Sequence, residues 1–505
     1  MGNSQFPDVL LTADVLLARA EITPVRFDQA RETGSEELAV LRSTDQGPTA
    51  AQSRSQSESA SSLSEIKSST GILTEAADAD VRHALRNHSI SALNDDSRRS
   101  DAQTIFILNA QGEPYFEQVI RNSDTRIFLG TRAHTAQFLE LCRETKAASL
   151  ERLLFVSSDL PRHQGRLAAA LYDFPSKEMH LVGVTGTNGK TSISHMLYTV
   201  WKEQERAAGV IGTLGVKWMP SRSGEELSYK TGYTTPRAPE LQRILARMRA
   251  DGIERVVLEA SSEALDLGRL YGCQFDTAIF TNLTVDHLDH HGSMEAYYQS
   301  KKILFQMCMA DAGRCVIYTG DAYGRRLLEE LKAEFPAVPA NRLVGIERPY
   351  ADLQLPMPAR FHRVNATLVL NAEQWDHQQE KQARQTLRTR ARIPGRFELV
   401  LAEQDRESQA NSAPVYGIVD YAHTPDALEN ALQAVQELQP KLLICVFGCG
   451  GNRDASKRPR MGAIGARLAD VLIVCDDNPR RENPQTIRAQ ILAGVAEQQQ
   501  TGAVR

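Results

Sequence analysis

A lysine and a threonine close a glycine-rich turn in the segment Val182-Gly-Val-Thr-Gly-Thr-Asn-Gly-Lys-Thr-Ser192. The turn directly follows the short apolar run Met179 to Val184, and an amphipathic stretch continues from Thr191 to about Gln204. Strand, tight loop and helix form the setting in which backbone N–H groups and a helix N-terminus cradle phosphate. Gly186, Thr187, Asn188, Gly189 and Ser192 would line that cradle. Lys190 would reach the β- and γ-phosphates, and the Thr191 hydroxyl would ligate Mg²⁺. The strict pattern needs a glycine where Val184 stands, so the loop is a variant. These residues predict binding of a nucleoside triphosphate.

Two more sets of chemically able residues follow apolar, β-branched runs. Glu259 closes Arg255-Val-Val-Leu258 and is followed by Ser261 and Ser262. A carboxylate at a strand end beside a phosphate loop is well placed to hold Mg²⁺. The second set is Phe280-Thr-Asn-Leu-Thr-Val-Asp-His-Leu-Asp-His-His-Gly292. Its three histidines lack the cysteine or partnering histidine pair of a zinc site. A second divalent-cation ligand at His287 is the expectation.

The elements that must position these residues read as an α/β protein. From Met179 onward short strands at 208–211, 255–258 and 277–280 alternate with helical patterns such as Pro239 to Asp251, which predicts a parallel sheet covered on both faces. Ligands of such sheets sit outside the carboxyl ends of the strands, where all three sets fall. Before this region, strands are expected at 104–108, 126–129 and 153–156. Ten serines between Ser43 and Ser69 predict a mobile insertion over about 42–70. Breaks at Phe174-Pro175-Ser176 and Ile393-Pro394-Gly395-Arg396 divide the chain into expected domains 1–178, 179–393 and 394–505. The last shows only three clear strands, at 415–419, 442–447 and 471–475, and is expected to be small and incomplete.

Composition narrows the class. The 505 residues are 42% apolar and 24% charged, with net charge −5, so no basic field favours nucleic acid or anionic membrane. No run of about 20 apolar residues occurs, and the first residues lack the basic and apolar regions of a secretory signal. Seven cysteines scattered without paired spacing fit reduced thiols in the cytoplasm.

Together, Thr185-Gly-Thr-Asn-Gly-Lys-Thr191, Phe280-Thr-Asn-Leu-Thr-Val-Asp-His-Leu-Asp289, Ile393-Pro-Gly-Arg-Phe-Glu398 and Val419-Asp-Tyr-Ala-His-Thr-Pro-Asp-Ala-Leu428 resemble the Mur ligases. Phe447-Gly-Cys-Gly-Gly-Asn-Arg-Asp454 and Asp477-Asn-Pro-Arg480 point to the branch that adds the third peptide residue. The resemblance runs from about Ser91 onward. It implies a three-domain architecture with a central phosphate-loop sheet and a Rossmann-like C-terminal domain. The implied activity is an ATP-dependent peptide ligase of peptidoglycan synthesis. It would add meso-diaminopimelate to UDP-MurNAc-L-Ala-D-Glu through an acyl phosphate, as a cytoplasmic monomer without nucleic-acid or membrane partner.

The resemblance also implies residue roles. Thr191 and Glu259 hold one Mg²⁺, and His287 helps hold a second. Lys301 stands where the family has a lysine converted to a carbamate, which replaces a repellent cation with a metal-binding anion. Asn282, Arg396, Asp420 and His423 serve the nucleotide. Ser97, Thr234, Thr235, Ser261 and Arg269 serve the UDP-sugar peptide. Arg453, Asp477, Asn478, Pro479 and Arg480 serve diaminopimelate, the Arg480 guanidinium taking its distal carboxylate in a two-pronged grip.

The chain departs from the family pattern at several places. Asp95 stands where an apolar residue is common, Arg237 where acidic residues are frequent, and Glu263 and Leu267 replace His and Gln. The amino-terminal loop is shortened to Asn109-Ala-Gln-Gly-Glu-Pro-Tyr115, and no Gly-Lys-Gly-His-Glu segment occurs before Arg505. Two other readings stay open on sequence grounds. One is a ligase of the same superfamily with another acceptor, such as folate-polyglutamate or lysine. The other is a non-catalytic nucleotide-binding regulator.

Overall fold

The computed structural model describes residues 89–109, 112–145, 152–220, 224–356, 359–401 and 416–500, with short pieces at 11–13, 16, 24–26 and 38–42. The serine-rich segment lies outside the described residues. The chain divides into two compact units. The first comprises Met1–Glu178 with two later excursions, Pro236–Arg249 and Asp266–Cys273, and the second comprises the remainder.

The first unit holds a six-stranded sheet. Its strands are β1 (Pro24–Arg26), β2 (Leu38–Arg42), β3 (Ala92–Asn94), β4 (Thr104–Ile107), β5 (Ile127–Gly130) and β6 (Leu153–Val156), in spatial order β1-β2-β6-β5-β4-β3. Pairing from β6 to β3 is parallel, and β2 joins antiparallel. Side chains of a strand alternate between faces, so runs that are apolar throughout feed two cores. Ile105, Ile127, Leu129, Leu153 and Phe155 pack with Leu167 and Leu171 of α3 (Leu160–Leu171). Phe106, Phe128 and Leu154 pack on the other side with Phe116 and Val119 of α1 (Phe116–Asn122) and Phe138 of α2 (Thr135–Glu144).

The second unit is built on eight strands: β7 (His180–Thr185), β8 (Ala208–Gly212), β9 (Gly215–Trp218), β10 (Leu227–Tyr229), β11 (Arg255–Glu259), β12 (Thr277–Phe280), β13 (Arg314–Tyr318) and β14 (Leu343–Ile346). Their order is β10-β9-β8-β11-β7-β12-β13-β14. The sheet is parallel from β8 to β14, with β9 and β10 added antiparallel. The expected helix-flanked parallel sheet is therefore present. The antiparallel extension is not apparent in the apolar pattern, because β9 (Gly-Val-Lys-Trp) and β10 (Leu-Ser-Tyr) are short and each is broken by a polar residue. Helix α4 (Lys190–Glu203) packs Ile193, Leu197 and Trp201 against Val182 and Val184.

Of the three strands expected after residue 394, none joins a common sheet with both others. Strand β15 (Glu398–Leu401) pairs antiparallel with β16 (Tyr416–Val419), and β17 (Ile444–Phe447) pairs parallel with β18 (Val471–Val474). Beside the first pair, the Phe397 N–H donates to Asp420 Oδ2 at 2.6 Å just beyond β16. Among the described residues no helix is long and apolar enough to cross a membrane.

Candidate functional site

Strand β7 ends at Thr185, and the chain turns through Gly186 (φ 148°) and Gly189 (φ 90°) into α4. Both values lie where residues bearing a Cβ are rarely found. A Cβ on Gly186 would also overlap the Thr281 hydroxyl. Asn282 braces the loop: its carbonyl accepts from Thr187 N at 2.9 Å and its Oδ1 from Asn188 N at 3.0 Å. Thr281 Oγ1 donates to Asn188 O at 2.6 Å. The end of β12 thus fixes the turn after β7.

Two lysines converge on this turn. Lys190 Nζ donates to Gly186 O at 2.8 Å and Thr187 O at 2.9 Å. Lys301, from α5 (Met294–Ala310), also donates to Gly186 O, at 3.0 Å, with its ammonium nitrogen 4.3 Å from the Tyr297 ring centre. Lys301 is 1% exposed. Burial, reinforced by the Lys190 charge, pulls its amine well below the ordinary lysine range. Lys302, its neighbour, instead pairs with Glu330 and Glu334.

Glu259 is fully buried at the end of β11. Its Oε2 accepts from the Thr191 and Thr213 hydroxyls, each at 3.0 Å, and Oε1 accepts from Thr213 N at 2.9 Å. Burial pushes its carboxyl upward, while Lys190 and the Thr213 bonds act against that. A buried carboxylate surrounded by hydroxyls and an amide suits an oxygen-seeking divalent cation. Thr234 Oγ1 lies 3.1 Å from Thr213 Oγ1, and Thr235 Oγ1 donates to Glu259 O at 2.7 Å and accepts from Ser261 N at 3.1 Å. Of the two threonines expected to serve the sugar peptide, Thr235 is tied to the loop that follows Glu259 and Thr234 to Thr213, which itself bonds the carboxylate.

Buried Asp286 faces two imidazoles through Oδ2: His287 Nε2 at 3.4 Å and His423 Nε2 at 3.7 Å. His287 sits at φ 54° and is half-exposed. Desolvation pulls its pKa to about 4, with Asp286 opposing and Lys190 and Lys301 adding to the shift. A neutral imidazole is the form that ligates metal. Arg396 Nη2 donates to Thr191 Oγ1 at 3.2 Å, and its guanidinium lies 4.2 Å from the Tyr421 ring centre. Asn188 Nδ2 donates to Asp426 Oδ2 at 3.2 Å, from α6 (Pro425–Gln436).

The residues expected to serve diaminopimelate occupy two loops at the carboxyl ends of β17 and β18. Arg453 is exposed on one, and Asp477, Asn478 and Arg480 are exposed on the other. Gly451 N donates to Asn478 O at 2.8 Å, and Arg480 Nη1 donates to Gly451 O at 2.6 Å. Arg458, on α7 (Lys457–Leu468), is fully buried and clamps both loops. It donates to Glu482 and Gln490, each at 2.6 Å, and to Gly450 O at 3.2 Å. Ser97 and Arg269 lie in the first unit, Ser97 in the turn Ser97–Arg99 and Arg269 6% exposed.

Sequence reasoning missed Thr213, Asp286, Tyr297 and Arg458. Thr213 follows β8 as the other site residues follow their strands, so the strand-end rule could have found it. Asp286 lies inside a motif already singled out for its histidine. Arg458 carries no local signal, since its role exists only once two distant loops meet.

Known proteins resemble this chain over most of its length. The sequence model of the Mur ligase middle domain matches residues 184–370, and that of the Mur ligase glutamate ligase domain matches 395–504. The chain is 34% identical to the UDP-N-acetylmuramoyl-L-alanyl-D-glutamate--2,6-diaminopimelate ligase of Coxiella burnetii, covering 84% of this chain and 87% of that one. It is 39% identical to the protein of that name from Thermosynechococcus vestitus, over 70% and 72% of the two chains. A solved structure of a diaminopimelate ligase of the same name aligns with TM-score 0.55 and 27% identity, over 81% and 82% of the chains. On these grounds the chain belongs to the Mur ligase family.

Proposed function

We propose that this protein is an ATP-dependent ligase that joins meso-diaminopimelate to UDP-MurNAc-L-Ala-D-Glu in peptidoglycan synthesis. Support comes from relatives named for that reaction at 34–39% identity. The observation that carries the mechanism is the convergence of Lys190, Lys301, Glu259 and Thr191 around the turn after β7.

A carboxylate is a poor acyl donor. Transfer of the γ-phosphoryl group of ATP to the substrate carboxylate gives an acyl phosphate and ADP. Attack by the diaminopimelate amine then forms the amide and expels phosphate. Such catalysis rests on positioning and on neutralising phosphate charge. Lys190 would leave its carbonyl partners to meet the β- and γ-phosphates. Gly186, Thr187, Asn188, Gly189 and Ser192 would present the turn to them, with Asn282 bracing it. Arg396, Asp420 and His423 would contact the nucleoside side.

Thr191 and Glu259 would hold one Mg²⁺, and His287 the second. Bound there, the cations supply charge neutralisation at the transferring phosphoryl group. The depressed basicity of Lys301 favours a neutral amine, the form that adds carbon dioxide to give a carbamate and a proton. Ser97, Thr234, Thr235, Ser261 and Arg269 would hold the UDP-sugar peptide. Arg453, Asp477, Asn478, Pro479 and Arg480 would hold diaminopimelate. We place the functional divisions at 1–178, 179–393 and 394–505 and the reaction in the cytoplasm, with the chain acting as a monomer.

The test is product formation by purified protein with magnesium and all three substrates. ADP and the lengthened muramyl peptide should appear together and vanish when any substrate is omitted. ADP release indifferent to diaminopimelate, or turnover of lysine in its place, would reject this acceptor.

A further inference from the structure

Two departures from the family pattern, Asp95 and Arg237, meet in the first unit. Arg237 Nη1 donates to Asp95 Oδ1 in an ion pair. Asp95 is 8% exposed, so water does little to solvate its charge. Its other oxygen accepts from Asn109 Nδ2 at 3.2 Å, and the same amide donates to Gln164 Oε1 at 3.3 Å. Gln164 Nε2 then donates to Leu267 O at 3.0 Å. Polar contacts thus run from residue 237, through the turn after β3 and the loop after β4, across α3, to the excursion 266–273.

Two members of this strut, Asp95 and Leu267, lie beside residues already assigned to substrate. Ser97 follows Asp95 by two positions, and Arg269 follows Leu267 by two. The excursion is pressed onto α3, where a Cβ on Gly165 would fall 2.6 Å from Tyr271 O and 2.9 Å from Gly268 O. The buried Asp95 carboxylate would be costly without a cation beside it, and Arg237, 31% exposed, supplies that cation.

We propose that the Asp95–Arg237 pair, continued through Asn109 and Gln164, sets the placement of Ser97 and Arg269 for the UDP-sugar peptide. Asp95 and Arg237 are positioning residues that act on affinity for that substrate alone. This rests on the reading of Ser97 and Arg269 as UDP-sugar-peptide contacts.

Steady-state kinetics of Asp95→Asn, Arg237→Gln, Arg237→Lys and the double variant Asp95→Leu/Arg237→Leu, with thermal melts of each, tests the proposal. The single neutral variants should raise KM for UDP-MurNAc-L-Ala-D-Glu about tenfold, with kcat and KM for ATP near wild type. Arg237→Lys should recover part of the loss. The double variant should regain thermal stability yet keep the raised KM, and it remains readable if a single variant fails to fold. Unchanged KM in folded variants overturns the proposal. So does a parallel rise in every KM that the double variant reverses together with stability. Ser97→Ala is measured alongside. If it leaves the UDP-substrate KM untouched, the Ser97 assignment itself falls; an effect there with none in Asp95→Asn overturns the strut alone.

Discussion

Lys301 is where burial does the most chemical work. A lysine amine held at 1% exposure beside Lys190 favours the neutral form. Lys301→Ala is expected to abolish turnover, and added short-chain carboxylates should partly restore it by occupying the vacated anion position. Full activity of the alanine variant without additive would remove the carbamate. For Glu259, Gln keeps the shape and loses the charge, so Glu259→Gln should lower kcat by about 10²–10³-fold and move the Mg²⁺ requirement to higher concentration. An unchanged Mg²⁺ titration would show that Glu259 is not a ligand. On the loop after β18, Arg480→Ala should raise KM for diaminopimelate much more than KM for ATP. Equal effects on both would take Arg480 out of the amino-acid pocket.

Elements hold these side chains through a few close contacts. The turn after β7 depends on Gly186, whose φ of 148° and contact with Thr281 leave no room for a Cβ. Gly186→Ala should cost about 1–3 kcal/mol of stability through backbone strain and overlap. Nucleotide affinity should fall with it, as read by ADP titration. The loops after β17 and β18 depend on Arg458 in a comparable way. Replacing it takes the donor from Gln490 and the charged donor from Glu482, which keeps the Asn452 N–H, and Arg458→Leu should cost about 1–3 kcal/mol. If those loops form the diaminopimelate pocket, that variant should weaken the amino acid more than ATP. A loss shared evenly would mean that Arg458 only supports the fold.

At the scale of the molecule, acidification should weaken the second unit. His195 and His362 are buried, and desolvation brings each to about 4 from the usual 6.5. The folded state therefore holds them neutral, while the unfolded chain takes up protons below about pH 6.5. Their contribution to stability is complete above that value and is lost as pH falls toward 4. Each adds a slope of up to about 1.4 kcal/mol per pH unit inside this window. Denaturant unfolding at pH 7 and pH 5 should show the loss. His362→Phe, which keeps an aromatic ring beside Phe361 and Phe397, should flatten it.

Much of the central sheet was legible because buried parallel strands are written as continuous β-branched runs, and β7, β11 and β12 fall within one or two residues of their expected bounds. The turn's place was legible too, since glycines beside a lysine and a threonine after an apolar run mark a tight passage from strand to helix. The pairing of β15 with β16 was not, because the strand after 394 is only four residues long and its partner lies beyond a long intervening segment. The sequence by itself determined which residues carry charge, which strands are buried, and the family to which they belong. Tertiary structure alone decided that Lys190 and Lys301 share one carbonyl, that Thr213 caps Glu259, and that Asp95 finds Arg237. The physical reason is that local propensity acts over a few residues, whereas burial of a charge is settled only by what distant segments bring beside it.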